Sequence, residues 1–351
     1  MDESPSATDN LATLDVIITG YGTIGRHVAE MLHARRPRYV EQYGRDVRIT
    51  GVCNSTSGLV GPGGLAPLQL ADRASFTPGL NGSRFMAAAP AHVLIEAGPS
   101  NYDTGGEALM YLRSALARRT HAIAVSKGAL VVDMRNLRDL ATRNRASLRF
   151  SGAAASALPT VDLIEHSLAG VTILGMEAVL TGTTNFVLNQ MFHNGLERND
   201  ALRLAQEKGI AEPDPAFDID GWDTASKLVI LANSVLGMDL RLDALPREGI
   251  RNLPGSALKQ WKAAGLTPRL VGFIEKHEEN VSAGVELRAY PQSHPFGGLD
   301  GSMKALAVHT DEMGDLTILG GASNPTATAA AVLKDLEHVL RDETGCAQRQ
   351  P

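Results

Sequence analysis

Cysteine is scarce in this 351-residue chain, which contains only Cys53 and Cys346. Two cysteines make neither a disulfide framework nor a metal-binding cluster, so we expect a reducing cytoplasm and no metal site. Long apolar runs are missing too, and without a stretch of about 20 such residues we expect no membrane span. The acidic and polar residues 1–10 lack the basic-then-apolar pattern of a signal peptide.

Positive charge is also in short supply. The formal net charge is -6, which argues against a nucleic-acid partner. The densest basic run, Arg35-Arg36-Pro37-Arg38, is interpreted as a solvated helix end. What remains is the composition of a globular protein, with 44% hydrophobic and 21% charged residues. The length of the chain suits two domains better than one.

A glycine motif follows the first apolar run. Residues 14–19 have the β-branched pattern of a buried strand, and a short glycine-rich turn leads from them into a helical stretch at 26–34. The first glycine permits the tight turn, the second lets the backbone approach a pyrophosphate, and the third lets helix and strand pack closely. We therefore predict dinucleotide binding, rather than a merely tight turn, at Gly20, Gly22, Thr23, Ile24 and Gly25.

The second strand, residues 47–52, bears on the choice of cofactor. An acidic residue after it would hold the ribose 2′-hydroxyl of NAD, and an arginine would suit the 2′-phosphate of NADP. The chain has neither, because Cys53 is followed by Asn54 and Ser55. Amide and hydroxyl groups can bind a phosphate, which tips the choice between NADP and NAD towards NADP. Cys53 itself is expected to pack at the strand tip.

Two more strands alternate with helices. Residues 92–97 and 120–125 have strand patterns, and residues 101–118 between them have a helical one. This alternation predicts an α/β fold with a doubly wound parallel sheet of the Rossmann type. Ligands of such sheets lie beyond the carboxyl ends of the strands, and that is where Pro99, Ser100 and Lys127 fall. A loop lysine is usually solvated, so an active-site role and a solvated role for Lys127 both stay open.

The pattern changes after residue 150. Residues 151–159 are small, as in a crossover between domains, and a strand at 171–180 leads to Gly182 and Thr183, where an apolar helix opens. Such residues can cap the helix, or they can bind a substrate carboxylate with backbone N–H groups. The predicted domains are a dinucleotide-binding domain at 12–150, completed by 320–345, and an α+β domain for substrate binding and dimerisation at 151–319.

An acid-rich loop precedes one apolar helix. Five acids crowd residues 212–223, where Asp220 has the position of an N-cap and Asp223 that of a capping-box acid. Asp223 and Lys227 are four apart and lie on one helix face. A solvated surface pair would explain them, but residues 228–232 are apolar on every side, which is typical of a core helix. A lysine beside carboxylates there suits proton transfer to a substrate oxygen.

Several of these segments together resemble homoserine dehydrogenase. The matching segments are Gly20-Tyr-Gly-Thr-Ile-Gly25, Ser126-Lys-Gly-Ala-Leu130, Thr181-Gly-Thr-Thr-Asn185, Ala211-Glu-Pro-Asp-Pro215, Asp223-Thr-Ala-Ser-Lys-Leu-Val-Ile-Leu231 and Pro325-Thr-Ala-Thr-Ala329. The resemblance implies a homodimeric enzyme of amino-acid biosynthesis that reduces aspartate 4-semialdehyde to homoserine, reversibly, with NAD(P)H. It also implies a short form, without the C-terminal regulatory domain that many members carry.

The resemblance assigns roles to the acids and to Lys227. Glu212 would hold the ammonium group of the substrate. Asp218 and Lys227 would hydrogen-bond the reacting oxygen, and Asp223 would orient Lys227. A positive donor at that place matches the chemistry, because hydride transfer to a carbonyl carbon develops negative charge on the oxygen.

The remaining roles concern both halves of the chain. Lys127 would lie near the same oxygen, and Thr183 with the backbone of Gly182 would contact the substrate from the other side. Ser151 stands where the family usually has an acid that binds a monovalent cation. Two alternatives stay open: the same scaffold acting on a different small hydroxy- or amino-acid substrate, and a non-catalytic dinucleotide-binding protein. Thioester chemistry is not expected, because neither cysteine is set beside a base.

Overall fold

The computed structural model describes residues 11–277 and 280–344, and the chain divides into two compact units. The first unit comprises the residues up to Ala153 together with those from Thr328 onwards, and the second unit comprises Ala154–Ala327. The expectations about Cys346 and about a signal peptide at residues 1–10 concern residues that lie outside the described ranges. No helix within those ranges is both long enough and apolar enough to cross a membrane.

The first unit alternates strands and helices. In chain order its elements are β1 (Ala12–Thr19), α1 (Thr23–Tyr43), β2 (Arg45–Cys53), β3 (Ser57–Val60), α2 (Pro67–Ala71), β4 (Thr77–Pro78), α3 (Gly82–Ala88), β5 (Val93–Glu96), α4 (Gly106–Ala117), β6 (His121–Ala124), α5 (Gly128–Asn144), β7 (Leu148–Arg149) and α6 (Ser151–Ala154).

The second unit begins with α7 (Thr160–Asp162) and contains most of the remaining elements. They are β8 (Ile173–Val179), α8 (Gly182–Asn194), α9 (Arg198–Glu207), α10 (Ala216–Ile219), α11 (Trp222–Val235), α12 (Gly255–Ala263), β9 (Leu266–His277), β10 (Asn280–Pro291), β11 (Lys304–Thr310) and β12 (Asp315–Gly320). The last helix, α13 (Pro325–Thr344), returns the chain to the first unit.

A seven-stranded sheet organises the first unit in the order β4-β3-β2-β1-β5-β6-β7. The strands β2, β1, β5, β6 and β7 run parallel, and β3 and β4 extend the sheet in antiparallel fashion. The strand order reverses between β1 and β5, because β2 lies on one side of β1 and the later parallel strands on the other. The predicted doubly wound parallel sheet is therefore confirmed, and the reversal marks where a ligand crevice is expected.

Apolar side chains from both elements of each βα repeat form the core of the first unit. Fully buried members include Val16, Ile18, Leu32, Ile49 and Val93, joined by Leu336 from α13. Burying each such side chain contributes about 1.5–3 kcal/mol to folding. This core fixes the strand ends, and with them the loops that carry the predicted cofactor residues.

The helix end predicted at residues 35–38 is wrong, because α1 continues through Pro37 to Tyr43. The solvated character of the run is confirmed, since Arg36 and Arg38 are exposed. Proline has a φ close to the helical value, so its cost is one lost N–H donor and some crowding of the preceding turn. Tyr39, beyond the proline, is fully buried and keeps the helix on the sheet. Arg36 is exposed and forms an ion pair, with its Nε 2.5 Å from Asp46 Oδ1.

The helix predicted to start at residue 101 begins later, at Gly106. Asn101 Oδ1 instead accepts hydrogen bonds from the backbone N–H groups of Asp103 at 3.1 Å and Thr104 at 2.9 Å. Asparagine side chains favour this kind of turn over a helix because they bind the backbone locally. Gly105 then provides a left-handed residue before the helix.

The second unit is built on a five-stranded antiparallel sheet in the order β10-β9-β8-β11-β12. The helices α8, α11 and α12 pack against strand β9, which lies second in this order. Helix α11 is deeply buried: residues 228–232 are all 0% exposed, as their all-round apolar character predicts.

Candidate active site

The glycine turn of the first unit has the geometry that each of its glycines is expected to provide. Gly20 has a φ of +76°, and a Cβ there would lie 2.2 Å from the backbone nitrogen of Gly98. A Cβ on Gly25 would lie 2.6 Å from the Gly20 carbonyl oxygen. A Cβ on Gly22, the N-cap of α1, would have none of the described atoms beyond its chain neighbours within 4 Å. The turn thus leaves open space at a helix N-terminus, which suits a pyrophosphate.

The end of β2 forms a tight turn. Asn54 Oδ1 accepts hydrogen bonds from the backbone N–H groups of Thr56 at 2.8 Å and Ser57 at 2.9 Å, so the amide oxygen shapes the loop that also contains Ser55. Cys53 is fully buried, as predicted. Burial raises the pKa of its thiol to about 11, which removes it as a nucleophile near neutral pH.

Glu96 joins the two loops that carry Pro99, Ser100 and Lys127. It ends β5, is 1% exposed, and burial raises the pKa of its carboxyl group. Its Oε1 accepts a hydrogen bond from the Gly98 N–H at 2.7 Å, and its Oε2 accepts one from Ser126 Oγ at 2.5 Å.

The same two loops are joined a second time. Ser100 Oγ accepts a hydrogen bond of 2.9 Å from the backbone N–H of Lys127, which precedes α5. Sequence reasoning missed Glu96, although an acid at the end of an otherwise apolar parallel strand was a signal that could have found it. The carboxyl ends of β5 and β6 thereby hold three of the predicted cofactor residues as one rigid element.

Lys227 lies in the first turns of α11 and is held at two points. Its Nζ is 2.5 Å from Asp223 Oδ2 and 2.9 Å from the carbonyl oxygen of Leu180. The two side chains are only 13% and 9% exposed. The interpretation as a solvated surface pair is therefore wrong, because the apolar remainder of α11 carries this pair into the interior of the second unit.

Thr181 follows β8 and shares the same carboxylate. Its Oγ1 donates a hydrogen bond of 2.8 Å to Asp223 Oδ2 and lies 3.0 Å from Thr224 Oγ1. Thr181 occupies the N-cap position of α8, yet among the described residues its side chain makes no capping bond. Thr183 does not cap either, since its hydroxyl donates to the Ile210 carbonyl at 3.1 Å.

Gly182 begins α8 in a confined place. A Cβ there would lie 2.7 Å from Ser323 Oγ and 2.9 Å from the Ser302 carbonyl oxygen. The crowding explains why glycine stands at this position. Any substrate contact from Gly182 would have to come from its backbone, which is what the resemblance assigns to it.

The predicted cap of α11 at Asp220 is wrong. Gly221, with a φ of +80°, is the N-cap residue, and no side chain in the described part of the chain caps this helix. Asp220 instead forms a two-point ion pair with Arg251, at 2.5 Å and 2.8 Å. The hydrogen bonds from Arg251 lower the pKa of the Asp220 carboxyl group. Asp223 is likewise not a capping-box acid, because its carboxylate turns to Lys227.

The other acids lie in the loop and short helix before α11. Asp218 is half-buried in α10, and Glu212 is exposed in the loop before it. Gln206 Nε2 donates hydrogen bonds to the carbonyl oxygens of Glu212 at 3.2 Å and Pro213 at 3.1 Å, which fixes the loop backbone. The roles of Asp218 and Glu212 toward a substrate stay predictions.

Ser151 belongs to an ion-pair cluster of the first unit. Its backbone N–H and its Oγ donate to the two carboxylate oxygens of the buried Asp335, at 2.8 Å and 2.7 Å. Lys334 Nζ lies 2.6 Å from Ser151 Oγ. An ammonium group thus lies beside Ser151, the residue that the resemblance places at the position of the family's cation-binding acid.

A doubly wound unit with a pyrophosphate-type turn, together with a unit that buries a lysine–aspartate pair, defines the class of NAD(P)-dependent dehydrogenases. Comparison with known proteins identifies the family. Residues 20–151 match the family model described as homoserine dehydrogenase, NAD binding domain, and residues 159–336 match the one described as homoserine dehydrogenase. The chain belongs to the homoserine dehydrogenase family.

Individual relatives agree with this assignment. The homoserine dehydrogenase of Methanocaldococcus jannaschii is 30% identical over 93% of this chain and 98% of its own length. The NAD(+)-dependent homoserine dehydrogenase of Pseudomonas canavaninivorans is 29% identical over 93% and 96%. The solved structure of homoserine dehydrogenase from Thermoplasma acidophilum has the same fold, with a TM-score of 0.79, 21% identity and coverage of 93% and 99%. The predicted family, fold and enzyme class are confirmed: the chain is an NAD(P)-dependent oxidoreductase with a small-molecule substrate.

Proposed function

We propose that this enzyme interconverts homoserine and aspartate 4-semialdehyde, with Lys227 transferring the proton at the reacting oxygen. One observation carries the proposal. An ammonium has three N–H donors, and Lys227 directs one to Asp223 and one to the Leu180 carbonyl. Within the described residues the third has no protein acceptor, which leaves a buried positive donor for a substrate oxygen.

In this proposal Lys227 transfers the proton in both directions of the reaction, and Asp223 positions it. A bound nicotinamide would supply or accept the hydride. In the reducing direction the Lys227 ammonium stabilises the oxyanion that develops and then donates the proton. In the oxidising direction the neutral amine accepts the hydroxyl proton. Asp223 holds the nitrogen in place through an ion pair of 2.5 Å.

The other predicted residues complete the site in this proposal. Asp218 hydrogen-bonds the same oxygen, and Glu212 pairs with the substrate ammonium through its exposed carboxylate. Gly182 and Thr183 contact the substrate from the end of β8. Lys127, at the carboxyl end of β6 in the first unit, stays a predicted electrostatic group.

We assign NADP as the preferred cofactor of this enzyme. Asn54 and Ser55 leave the end of β2 without the acid that favours NAD. Tyr21 of the glycine turn stacks on Phe76 with 6.0 Å between the ring centroids, and the Arg73 guanidinium lies 5.6 Å from the Phe76 ring centroid. A cation therefore lies near this turn. We expect a higher kcat/KM with NADP than with NAD, and expect Arg73→Ala to reduce that preference.

The two units have different tasks in the proposal. The first unit binds the dinucleotide, and the second binds substrate and forms a homodimer. The mass in solution, measured by light scattering, tests the dimer.

A cytoplasmic location also stays a prediction.

The direct test is a spectrophotometric assay of homoserine oxidation with NADP and with NAD, alongside serine, threonine and 4-hydroxybutyrate. We expect kcat/KM for homoserine to exceed the others by at least about tenfold, since polar groups left unpaired by a wrong substrate are costly. Preference for another of these compounds would replace the proposal with the same scaffold acting on that substrate. Cofactor binding without turnover of any of them would favour a non-catalytic protein.

A further inference from the structure

We propose that Thr181 is a positioning residue for proton transfer, because its hydroxyl holds the carboxylate oxygen that also binds the Lys227 ammonium. The inference rests on the proposed function of Lys227. Thr181 Oγ1 lies 2.8 Å and Lys227 Nζ 2.5 Å from the same atom, Asp223 Oδ2. Thr181 is 3% exposed and Asp223 is 6% exposed, so water competes little for this contact.

The direction of the hydrogen bonds follows from counting protons. A hydroxyl has one hydrogen to donate, and an ionised carboxylate can only accept. Thr181 therefore donates to Asp223, and its contact of 3.0 Å with Thr224 Oγ1 must be a bond that it accepts. The fully buried Thr224 thus orients the Thr181 hydroxyl, and the hydroxyl orients the carboxylate.

The position of Thr181 in the fold indicates that its hydrogen bond to Asp223 does more than stabilise the local helix. A threonine at an N-cap ordinarily stabilises its own helix by accepting a bond from the first turn. Thr181 is the N-cap of α8 but makes no such bond among the described residues. Its hydroxyl is committed instead to a carboxylate 42 positions along the chain.

The same strand end holds the other half of the ion pair. The carbonyl of Leu180, the residue before Thr181, accepts the second N–H of Lys227 at 2.9 Å. The end of β8 therefore fixes both the carboxylate and the ammonium. With two of its donors fixed in direction, the third N–H of Lys227 has a defined direction as well, and preorganised donors of this kind stabilise developing charge.

The test compares Thr181→Val with Thr181→Ser. Valine keeps the shape of threonine and removes the hydroxyl, so we expect kcat to fall about 10- to 100-fold, the equivalent of losing a hydrogen bond to a charged group. KM for homoserine and NADP should change far less, since Thr181 contacts neither in this proposal. Serine restores the hydroxyl and should restore kcat to within about threefold of wild type.

Thr160→Val is the matched control. Thr160 is a buried threonine of the same unit, 1% exposed, and its hydroxyl has no hydrogen-bond partner in the described part of the chain. Its replacement should leave kcat unchanged. If Thr181→Val does not fold, Thr181→Ala takes its place in the comparison with serine.

Combining Thr181→Val with Lys227→Gln distinguishes the positioning role of Thr181 from the proton-transfer role of Lys227. If Thr181 acts through the ion pair, Thr181→Val lowers kcat in the wild type but not further in the Lys227→Gln background. An inactive Lys227→Gln variant beside a Thr181→Val variant with wild-type kcat overturns the positioning role alone. A Lys227→Gln variant with wild-type kcat overturns the proposed function and this inference with it.

Discussion

Two buried carboxylates, one in each unit, meet different partners. Glu96 in the first unit accepts hydrogen bonds from neutral groups, the Gly98 N–H and the Ser126 hydroxyl. Asp223 in the second unit is in contact with the Lys227 ammonium at 2.5 Å. Both acids are less than a tenth exposed, so the difference between them lies in charge rather than in burial.

We infer from this contrast that Glu96 has a structural role and that Asp223 has a role in proton transfer. Burial without a cation raises the pKa of Glu96, and its bonds join two loops. A carboxylate beside a buried ammonium offsets the cost of that charge and fixes its place. We therefore expect changes at Glu96 to act on stability and cofactor binding but not on kcat, and changes at Asp223 to lower kcat as well as stability.

The largest expected effect comes from Asp223→Asn. The change leaves a buried ammonium without its counter-charge, which costs about 3 kcal/mol of unfolding free energy. The kcat should fall by about 100-fold or more, as for a disturbed proton-transfer group. Urea unfolding and steady-state kinetics measure the two effects. Asp243→Asn is the control, since Asp243 forms an exposed pair with Arg241, and it should alter neither quantity. A variant that unfolds more easily but keeps its kcat would break the comparison.

Glu96→Gln should have a smaller and pH-dependent effect. Because the folded pKa of Glu96 is raised above its ordinary value of 4.5, the native state holds the proton more tightly than the unfolded state. The wild-type stability that depends on this proton is full at low pH and is lost as pH rises through the raised pKa. Glutamine cannot ionise.

Urea unfolding of the wild type and of Glu96→Gln at pH 4.5, 6 and 8 measures how the difference between their free energies of unfolding changes with pH. The wild type should lose stability relative to Glu96→Gln as the pH rises. A stability difference that grows in the opposite sense would show that Glu96 is ionised in the folded protein, and would remove the contrast with Asp223.

Ser126→Ala is expected to have the smallest effect, and it pairs with Thr181→Val. Each substitution removes a hydroxyl that is hydrogen-bonded to the side chain of a buried acid. Ser126→Ala should cost about 1 kcal/mol of stability, as for one hydrogen bond between uncharged groups. Its kcat should stay near the wild-type value while that of Thr181→Val falls. Equal losses of kcat in both variants would mean that the two carboxylates do not differ in role.

The sequence predicts the parts of the fold that depend on local pattern. The strands β1 and β2 are apolar runs bounded by glycine or polar residues, and the turn at 20–25 specifies its backbone through glycine itself. The basic run at 35–38 misled the prediction of a helix end, because α1 tolerates Pro37 where the buried Tyr39 keeps the helix on the core. Asp220 misled it because Arg251, 31 residues away, takes the side chain that would have capped α11.

The candidate site shows the same division between local and distant contacts. Asp223 and Lys227 could be paired from sequence because a helix places residues four apart on one face. Their bonds to Thr181 and Leu180 could not, since those depend on how β8 packs beside α11. Only the folded second unit makes these separate segments into one site.

The central claim is that the Lys227 ammonium transfers the proton. The most direct measurement is kcat together with cofactor affinity for Lys227→Gln, with the exposed Lys276→Gln in the same unit as control. The account predicts a loss of kcat of about 100- to 10,000-fold for Lys227→Gln, with cofactor affinity and the control unchanged. A Lys227→Gln enzyme that folds, binds cofactor and turns over homoserine at the wild-type rate would contradict it.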